Sequence, residues 1–151
     1  MRDMPATTEE LLAEYPVSVA LTVQWGEMDA YQHVNNATYF RYFETARMAF
    51  LSASKIIDPA QPEARIGPIL ASTSCRFKAP LRFPDQIYTC ARVADIGDDR
   101  FTMEYAVIST SLARVAATGD GLVVAYDYQQ NQKATLPAAW RAGIASLADS
   151  A

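Results

Sequence analysis

Apolar and polar residues alternate with a period of two from Val17 to Trp25, and this pattern predicts a half-buried β-strand. A short helix is predicted before this strand. Thr7 or Thr8 can cap a helix over Glu9–Leu12, and Pro16 ends that helix because the residue before proline disfavours helical dihedral angles.

A polar segment, Gly26–Asn35, separates this strand from the longest helix that the sequence predicts. Asn35 or Asn36 is a suitable N-cap, and the following stretch to about Ala53 contains neither glycine nor proline. Apolar side chains and one arginine stem recur there at helical spacing, so one face of the helix is expected to be buried. They are Tyr39, Phe40, Phe43, Arg47, Phe50 and Leu51.

The second half of the chain changes to strand-like runs after a loop over Ser54–Gly67 that contains Pro59 and Pro62. Four strands are predicted, over Pro68–Ala79, Gln86–Ile96, Arg100–Leu112 and Ala113–Tyr128, with turns at Gly97–Asp99 and Ser109–Ala113. Gly119 and Gly121 indicate a bulge, a bend or a close backbone approach in the last strand. Pro137 can begin a terminal helix that runs through Trp140.

This order of elements predicts an α+β fold in which a five-stranded antiparallel sheet packs on one long helix, with short helices at the ends. The 151 residues are 50% hydrophobic and 20% charged, which is typical of one globular domain covering residues 1–151. A five-stranded sheet leaves edge strands and an uncovered face, so we expect association with another copy of the chain.

The formal net charge of −4 argues against a protein that binds nucleic acid through its phosphates. A small anionic ligand is still compatible with this charge, because Arg76, Lys78 and Arg82 lie close together in the chain. Cys75, Cys90 and one histidine cannot supply the usual structural zinc set, so we expect no metal and interpret both cysteines as buried apolar residues.

The compartment is predicted from segments that the sequence lacks. The first sixteen residues carry five charges and no apolar stretch of a signal peptide, and the longest uncharged run, Tyr15–Gly26, is too short to cross a bilayer. We therefore expect a cytoplasmic protein without a membrane partner.

Two motifs carry a resemblance to a known family: His33-Val-Asn-Asn36 at the start of the long helix and Tyr42-Phe-Glu-Thr-Ala-Arg47 within it. With the preceding segment from Val23 through Asp29, they resemble the 4-hydroxybenzoyl-CoA thioesterase-like branch of the hotdog superfamily. The resemblance implies a hotdog fold, hydrolysis of an acyl-CoA, and Asp29 as the catalytic carboxylate. It implies no separate cofactor, since coenzyme A is part of the substrate, and a homodimer or dimer of dimers with the substrate between two subunits.

The chemistry of these residues is consistent with that role. Thioester hydrolysis needs a base or nucleophile near the carbonyl carbon and hydrogen-bond donors where charge develops on oxygen. Asp29 can supply the first, and the unpaired amides of a helix that begins near Asn35 can supply the second. Trp25, Tyr31 and the aromatic residues of the long helix are expected to desolvate Asp29. The sequence leaves open whether the carboxylate activates water or attacks the carbonyl itself.

The other candidate residues have structural and functional interpretations side by side. His33 can order the loop or transfer a proton, Asn35 and Asn36 can cap the helix or contact substrate, and Tyr39 can belong to the core or line an acyl tunnel. Arg76, Lys78 and Arg82 are candidates for the CoA phosphates. Glu27, two residues from Asp29, is interpreted as structural or solvated.

Two positions depart from the family pattern: many relatives carry aspartate where this chain has Glu27 and glycine where it has Gln32. Glycine at the second position would permit a positive φ that glutamine accepts less readily, which puts the shape of the loop in doubt.

Three other functions stay open at this point. They are a hotdog hydratase or dehydratase that uses Asp29 and His33, a non-catalytic acyl-CoA-binding module, and a domain that associates with another protein.

Overall fold

The computed structural model describes residues 7–58, 60 and 65–150, without the side chains of residues 149 and 150. The elements are α1 (Thr8–Leu12), β1 (Val17–Thr22), a 3-10 turn (Trp25–Glu27), α2 (Asn36–Ala53), β2 (Ile66–Phe77), β3 (Gln86–Ile96), β4 (Arg100–Ser109), β5 (Arg114–Asp127), β6 (Gln132–Lys133) and α3 (Ala138–Ser150). The prolines of the predicted loop, at positions 59 and 62, lie outside the described residues.

The strands form one antiparallel sheet in the order β1-β3-β4-β5-β2, with β6 paired to the end of β5. Helix α2 packs against its inner face, and Phe43, Phe50, Tyr105 and Val107 belong to the buried cluster between them. Helix α1 covers part of the outer face, around the buried Cys90. The predicted five strands around one long helix are confirmed, with the two-residue β6 added.

Helix α2 begins where its cap was predicted, because the Asn35 side chain accepts a hydrogen bond from the Ala37 amide at 2.9 Å. The buried face differs from the predicted one because it includes Tyr42 and Ala46 and leaves out Phe40. Tyr42 is buried, whereas Phe40 is 38% exposed, because the inner stripe follows Tyr39, Phe43, Ala46 and Phe50 and turns Phe40 outward.

Several predicted boundaries need correction. Strand β1 ends at Thr22 instead of Trp25, because the Val23 amide donates to the Asp85 carbonyl and the Gln24 amide to the Glu27 carboxylate. Strand β2 runs over Ile66–Phe77 instead of Pro68–Ala79, and the amides that follow it both donate to the Ala116 carbonyl.

The last two long strands and the terminal helix also differ in extent. The hairpin turn shortens β4 to Ser109 and moves the start of β5 to Arg114, while β5 ends at Asp127. Helix α3 continues beyond Trp140 because Ile144 and Leu147 repeat its spacing and pack on the same cluster.

The glycines of β5 permit a close approach of aromatic rings. A Cβ at Gly119 would overlap the Phe43 ring, and one at Gly121 would lie 2.6 Å from the Tyr105 hydroxyl oxygen. Phe43 and Tyr105 stack on each other with ring centroids 5.0 Å apart. The predicted close approach of another backbone is present at Gly119, where a Cβ would also meet the Ser74 carbonyl oxygen, whereas side chains alone approach Gly121.

A lysine at the end of α2 occupies a position that glycine would fill with less strain. Lys55 has a φ of 62°, while its amide donates to the Ser52 carbonyl and the Ile56 amide to the Leu51 carbonyl, the hydrogen bonds of a Schellman motif. A left-handed conformation destabilises a residue that has a Cβ by about 1–2 kcal/mol. Glycine avoids this strain, but the greater conformational freedom of its unfolded state offsets about 0.5–1 kcal/mol of the gain.

We therefore expect Lys55→Gly to raise the free energy of unfolding by about 0.5–1 kcal/mol. Urea unfolding followed by circular dichroism measures the change. Lys55→Ala is the control, since it removes the same charge but keeps the Cβ and should bring no comparable gain. Equal stability of the two variants would contradict the explanation.

Candidate active site

The segment between the 3-10 turn and α2 folds into a tight loop that presents Asp29. The Asp29 amide donates to the His33 carbonyl and the Gln32 amide to the Asp29 carbonyl, both at 2.9 Å. Gln32 closes this loop with a φ of 62°. The positive φ expected at this position is therefore present, and glutamine adopts it.

The carboxylate of Asp29 has one oxygen anchored and one available. Oδ1 accepts a hydrogen bond from the Tyr31 amide at 2.9 Å, and in the described part of the chain nothing donates to Oδ2. The carboxylate is exposed, but it borders a cleft of about 360 Å³. That cleft is lined by Asp29, Tyr31, His33, Val34, Asn36, Tyr39, Phe77, Lys78, Ala79 and Pro80.

The first turn of α2 opens into the same cleft. The Ala37 amide donates to the Asn35 side chain and the Thr38 amide to the Asn35 carbonyl, so both are occupied. No acceptor for the Asn36 amide is present among the residues that the structure describes. The helix therefore offers one unpaired N–H, with the partial positive charge of its N-terminus, at the cleft that Asp29 also borders.

The walls of the cleft differ from the predicted ones. Trp25 is 71% and Tyr31 85% exposed, so within one chain neither of them desolvates Asp29 as expected. Of the predicted groups, the aromatic helix contributes Tyr39, which forms the apolar wall together with Phe77. Their ring centroids are 5.0 Å apart, and burial raises the pKa of Tyr39. Phe77 was missed because alternation along the predicted strand puts it on the face opposite to Lys78; β2 ends at Phe77, however, and both residues line the cleft.

Glu27 has a structural role, in agreement with its sequence interpretation. Its Oε1 accepts hydrogen bonds from the Gln24 amide at 2.7 Å and from the Tyr42 hydroxyl at 2.9 Å. Burial and this bond to Glu27 raise the pKa of Tyr42 well above its usual range. Glu27 thus ties the 3-10 turn to α2 and holds the Asp29 loop against the helix.

The lone histidine is engaged by an arginine. Nη2 of Arg82 lies 3.0 Å from Nε2 of His33. Because a guanidinium has donors only, Nε2 must be the acceptor, and the ring proton is then on Nδ1. This contact orders the loop through a neutral imidazole.

The three basic candidates are not brought together. Lys78 lines the cleft, and Arg82 reaches it through His33. Arg76 borders a different pocket with Arg92 and Glu104, which alternation along β2 places on the outer face of the sheet. Closeness in sequence did not predict this separation, because β2 ends at Phe77, between Arg76 and Lys78, and the alternation of the strand does not continue to Lys78.

Among the described residues, the cysteine thiols and the possible metal ligands do not form a second reactive site. Burial raises the pKa of the half-buried Cys75 to about 11 and that of Cys90 to about 12, so both thiols are protonated at neutral pH. Residues 7–58, 60 and 65–150 contain no cluster of histidine, cysteine, aspartate and glutamate suited to a metal ion. None of the described helices combines the length and the apolar character needed to cross a membrane.

Residues 23–144, which include the loop, the cleft and the whole sheet except β1, match the model of a protein family described as the thioesterase-like superfamily. The chain belongs to the thioesterase-like superfamily. It is a thioester hydrolase of that group, so the predicted thioesterase resemblance and hotdog fold are confirmed, while the 4-hydroxybenzoyl-CoA branch stays a prediction.

Individual relatives of this thioesterase-like chain agree with the assignment. A curated protein from Aquifex aeolicus (strain VF5) is 30% identical over 91 residues, which are 60% of this chain and 71% of the relative. A thioesterase superfamily structure from Jannaschia sp. CCS1 is 26% identical with a TM-score of 0.79, over 97% of this chain and 95% of that one. A thioesterase from Thermus thermophilus, solved with coenzyme A and zinc, is 27% identical with a TM-score of 0.72, over 88% and 95%.

Proposed function

We propose that this chain hydrolyses acyl-CoA thioesters, with Asp29 as the general base or nucleophile. One observation supports this most directly: the unpaired oxygen of Asp29 and the unpaired amide of Asn36 border the same cleft. The complex of the Thermus thermophilus relative with coenzyme A supports CoA as the thiol carrier.

The two groups act at different atoms of the thioester: the Asn36 N–H at the carbonyl oxygen and Asp29 at the carbonyl carbon. The thioester carbonyl oxygen accepts a hydrogen bond from the Asn36 N–H, which stabilises the negative charge that develops there. Asp29 Oδ2 removes a proton from water as the water attacks the carbonyl carbon, or attacks that carbon itself. When water attacks, the proton taken up by Asp29 passes to the thiolate as the C–S bond breaks, which gives the thiol and the carboxylic acid. When Asp29 attacks, the C–S bond breaks as a mixed anhydride forms and the thiolate takes a proton from solvent; water then hydrolyses the anhydride, which releases the acid and restores the carboxylate.

In this proposal the other residues that line the cleft position the substrate. Tyr39 and Phe77 contact the acyl group, Asn36 also offers its side chain, and Lys78 provides a cation at the rim. Asn35 acts through the helix cap, and His33 acts through the loop that carries Asp29.

A thiol-release assay over short, long, branched and aryl acyl-CoAs tests the proposal. At least one class should release free CoA well above the rate of the Asp29→Asn variant. Equal rates for the two proteins across the whole panel would contradict the proposed function.

The hydratase alternative is disfavoured by the contact between Arg82 and His33. An acid-base role for Nε2 of His33 would require it to exchange a proton with substrate, but it is occupied as an acceptor from the guanidinium. Crotonyl-CoA separates the alternatives, since a hydratase would consume its double bond without releasing thiol.

We further propose that two copies of the chain assemble through β2 and α2. Strand β2 is an edge of the sheet, and its middle section is exposed, including Leu70 at 37%. Phe40 and Met48 add apolar surface on α2 at an eight-residue spacing, which lies on one helix face. Phe77 and Lys78 end the same edge, so a partner placed along β2 would also reach the cleft that holds Asp29.

Met48→Glu combined with Phe40→Glu should shift the protein from dimer to monomer in sedimentation velocity, because burying two added carboxylates is costly. Ile96→Glu is the matched control, since Ile96 is similarly exposed at the end of β3 and should leave the dimer intact. A double variant that sediments like the parental dimer would contradict the proposed interface.

A further inference from the structure

A second groove lies next to the cleft that holds Asp29. It has a volume of about 490 Å³ and shares Ala79 and Pro80 with that cleft. Its other lining residues are Arg82, Pro84, Asp85, Ser111, Leu112 and Arg114. The two depressions adjoin each other, because they share these two lining residues and because Arg82 of the groove contacts His33 of the cleft.

Two cations of this groove are not neutralised by carboxylates. Arg82 makes its contact with the neutral ring of His33, and no ion pair of Arg82 or Arg114 is present among residues 7–58, 60 and 65–150. Two like charges that line one groove without acidic partners make it favourable for a polyanion.

The one acidic residue of the groove is committed to holding it together. Asp85 is buried and accepts hydrogen bonds from the Ser109 and Thr110 hydroxyls and from the Ser111 amide at 3.1 Å. These bonds fix the turn between β4 and β5 against the start of β3. Arg114, the first residue of β5, is thereby placed on the same groove as Arg82.

The apolar members of the groove suit the rest of such a ligand. Pro80, Pro84 and Leu112 offer apolar surface in the same groove as the two cations, and Leu112 is 45% exposed. The two adjoining depressions together therefore offer the Asp29 carboxylate, apolar surface and two cations.

We propose that the groove lined by Arg82 and Arg114 binds the phosphorylated nucleotide portion of the CoA thioester whose acyl end lies at Asp29. The inference rests on the proposed function and adds Arg114, which lies far in sequence from the other basic candidates. It also assigns to Arg82 a second role beside its contact with His33.

Isothermal titration with free CoA, 3′-dephospho-CoA and pantetheine tests the groove without requiring turnover. The parental protein should bind CoA at least about tenfold more tightly than pantetheine, and Arg114→Gln should weaken CoA binding about ten- to a hundredfold while pantetheine binding is unchanged. Arg114→Lys should recover part of the loss, because it keeps the charge but not the bidentate geometry. Dephospho-CoA shows whether Arg114 contacts the 3′-phosphate or the diphosphate.

Lys133→Gln is the control, because it removes one positive charge at the opposite end of β5 and should keep the parental affinity for CoA. Equal CoA affinity of Arg114→Gln and the parental protein would overturn the inference, as would an equal loss for CoA and pantetheine. The proposed function fails separately: absence of thiol release together with Arg114-dependent CoA binding would refute hydrolysis and retain the groove.

Discussion

Replacing Asp29 with asparagine should lower kcat for thioester hydrolysis by about 10²–10⁴-fold, the usual contribution of a positioned acid or base. An amide oxygen neither removes a proton from water nor attacks a carbonyl carbon at a useful rate. It can still accept the hydrogen bond from the Tyr31 amide, so the loop should keep its shape. Thiol release under saturating acyl-CoA measures kcat, and circular dichroism verifies the fold.

Glu27→Gln is the matched control, because it makes the same chemical change two residues away. Its amide oxygen can still accept from the Gln24 amide and the Tyr42 hydroxyl, so turnover should fall much less than in Asp29→Asn. Parental turnover in Asp29→Asn would show that the carboxylate is not the reacting group. A loss in Glu27→Gln as large as that in Asp29→Asn would show that the effect comes from the loop.

Gly143→Ala should destabilise the protein by about 1–3 kcal/mol, although alanine is the better helix former. Gly143 lies within α3, where a Cβ would overlap the Ser54 carbonyl at the C-terminal end of α2. Backbone cannot rotate away as a side chain can, so α3 must shift and weaken the packing of Trp140 and Ile144. The midpoint of urea unfolding should fall accordingly.

Ala142→Gly provides the comparison on the preceding, exposed residue of the same helix. Helix propensity alone acts there, so its stability should fall by about 1 kcal/mol. If propensity also decided position 143, Gly143→Ala would raise the stability by a similar amount, and that result would refute the close packing of α3 on α2.

The spacing of apolar residues predicted most of the fold, because burying one face of a helix or strand makes apolar residues recur at the period of that element. The alternation before Thr22 predicted β1, and the absence of glycine and proline after Asn35 predicted α2 with its cap. Phe40 was assigned to the wrong face because an amphipathic stripe can be drawn through two neighbouring aromatic residues. The path of the sheet around α2 decides between them.

The sequence predicted only the part of the candidate site that is formed by residues close together in the chain. Asp29, His33 and Asn36 lie in one short segment, so the motif located them together, and the positive φ at Gln32 followed from the family pattern. Phe77 and Pro80 reach the cleft from β2 and the residues after it, and Arg114 comes from a hairpin. Contacts between distant segments depend on strand register, which a period of two does not specify.

The amino-acid sequence by itself determined the helix and strand periods, the cap of α2 and the loop that holds Asp29, because each depends on residues a few positions apart. Only the tertiary structure decided which oxygen of Asp29 is free, which amide of α2 is unpaired, and which arginines share a groove with the cleft. Those properties depend on hydrogen bonds and packing between segments that the folded sheet brings together, and no local pattern records them.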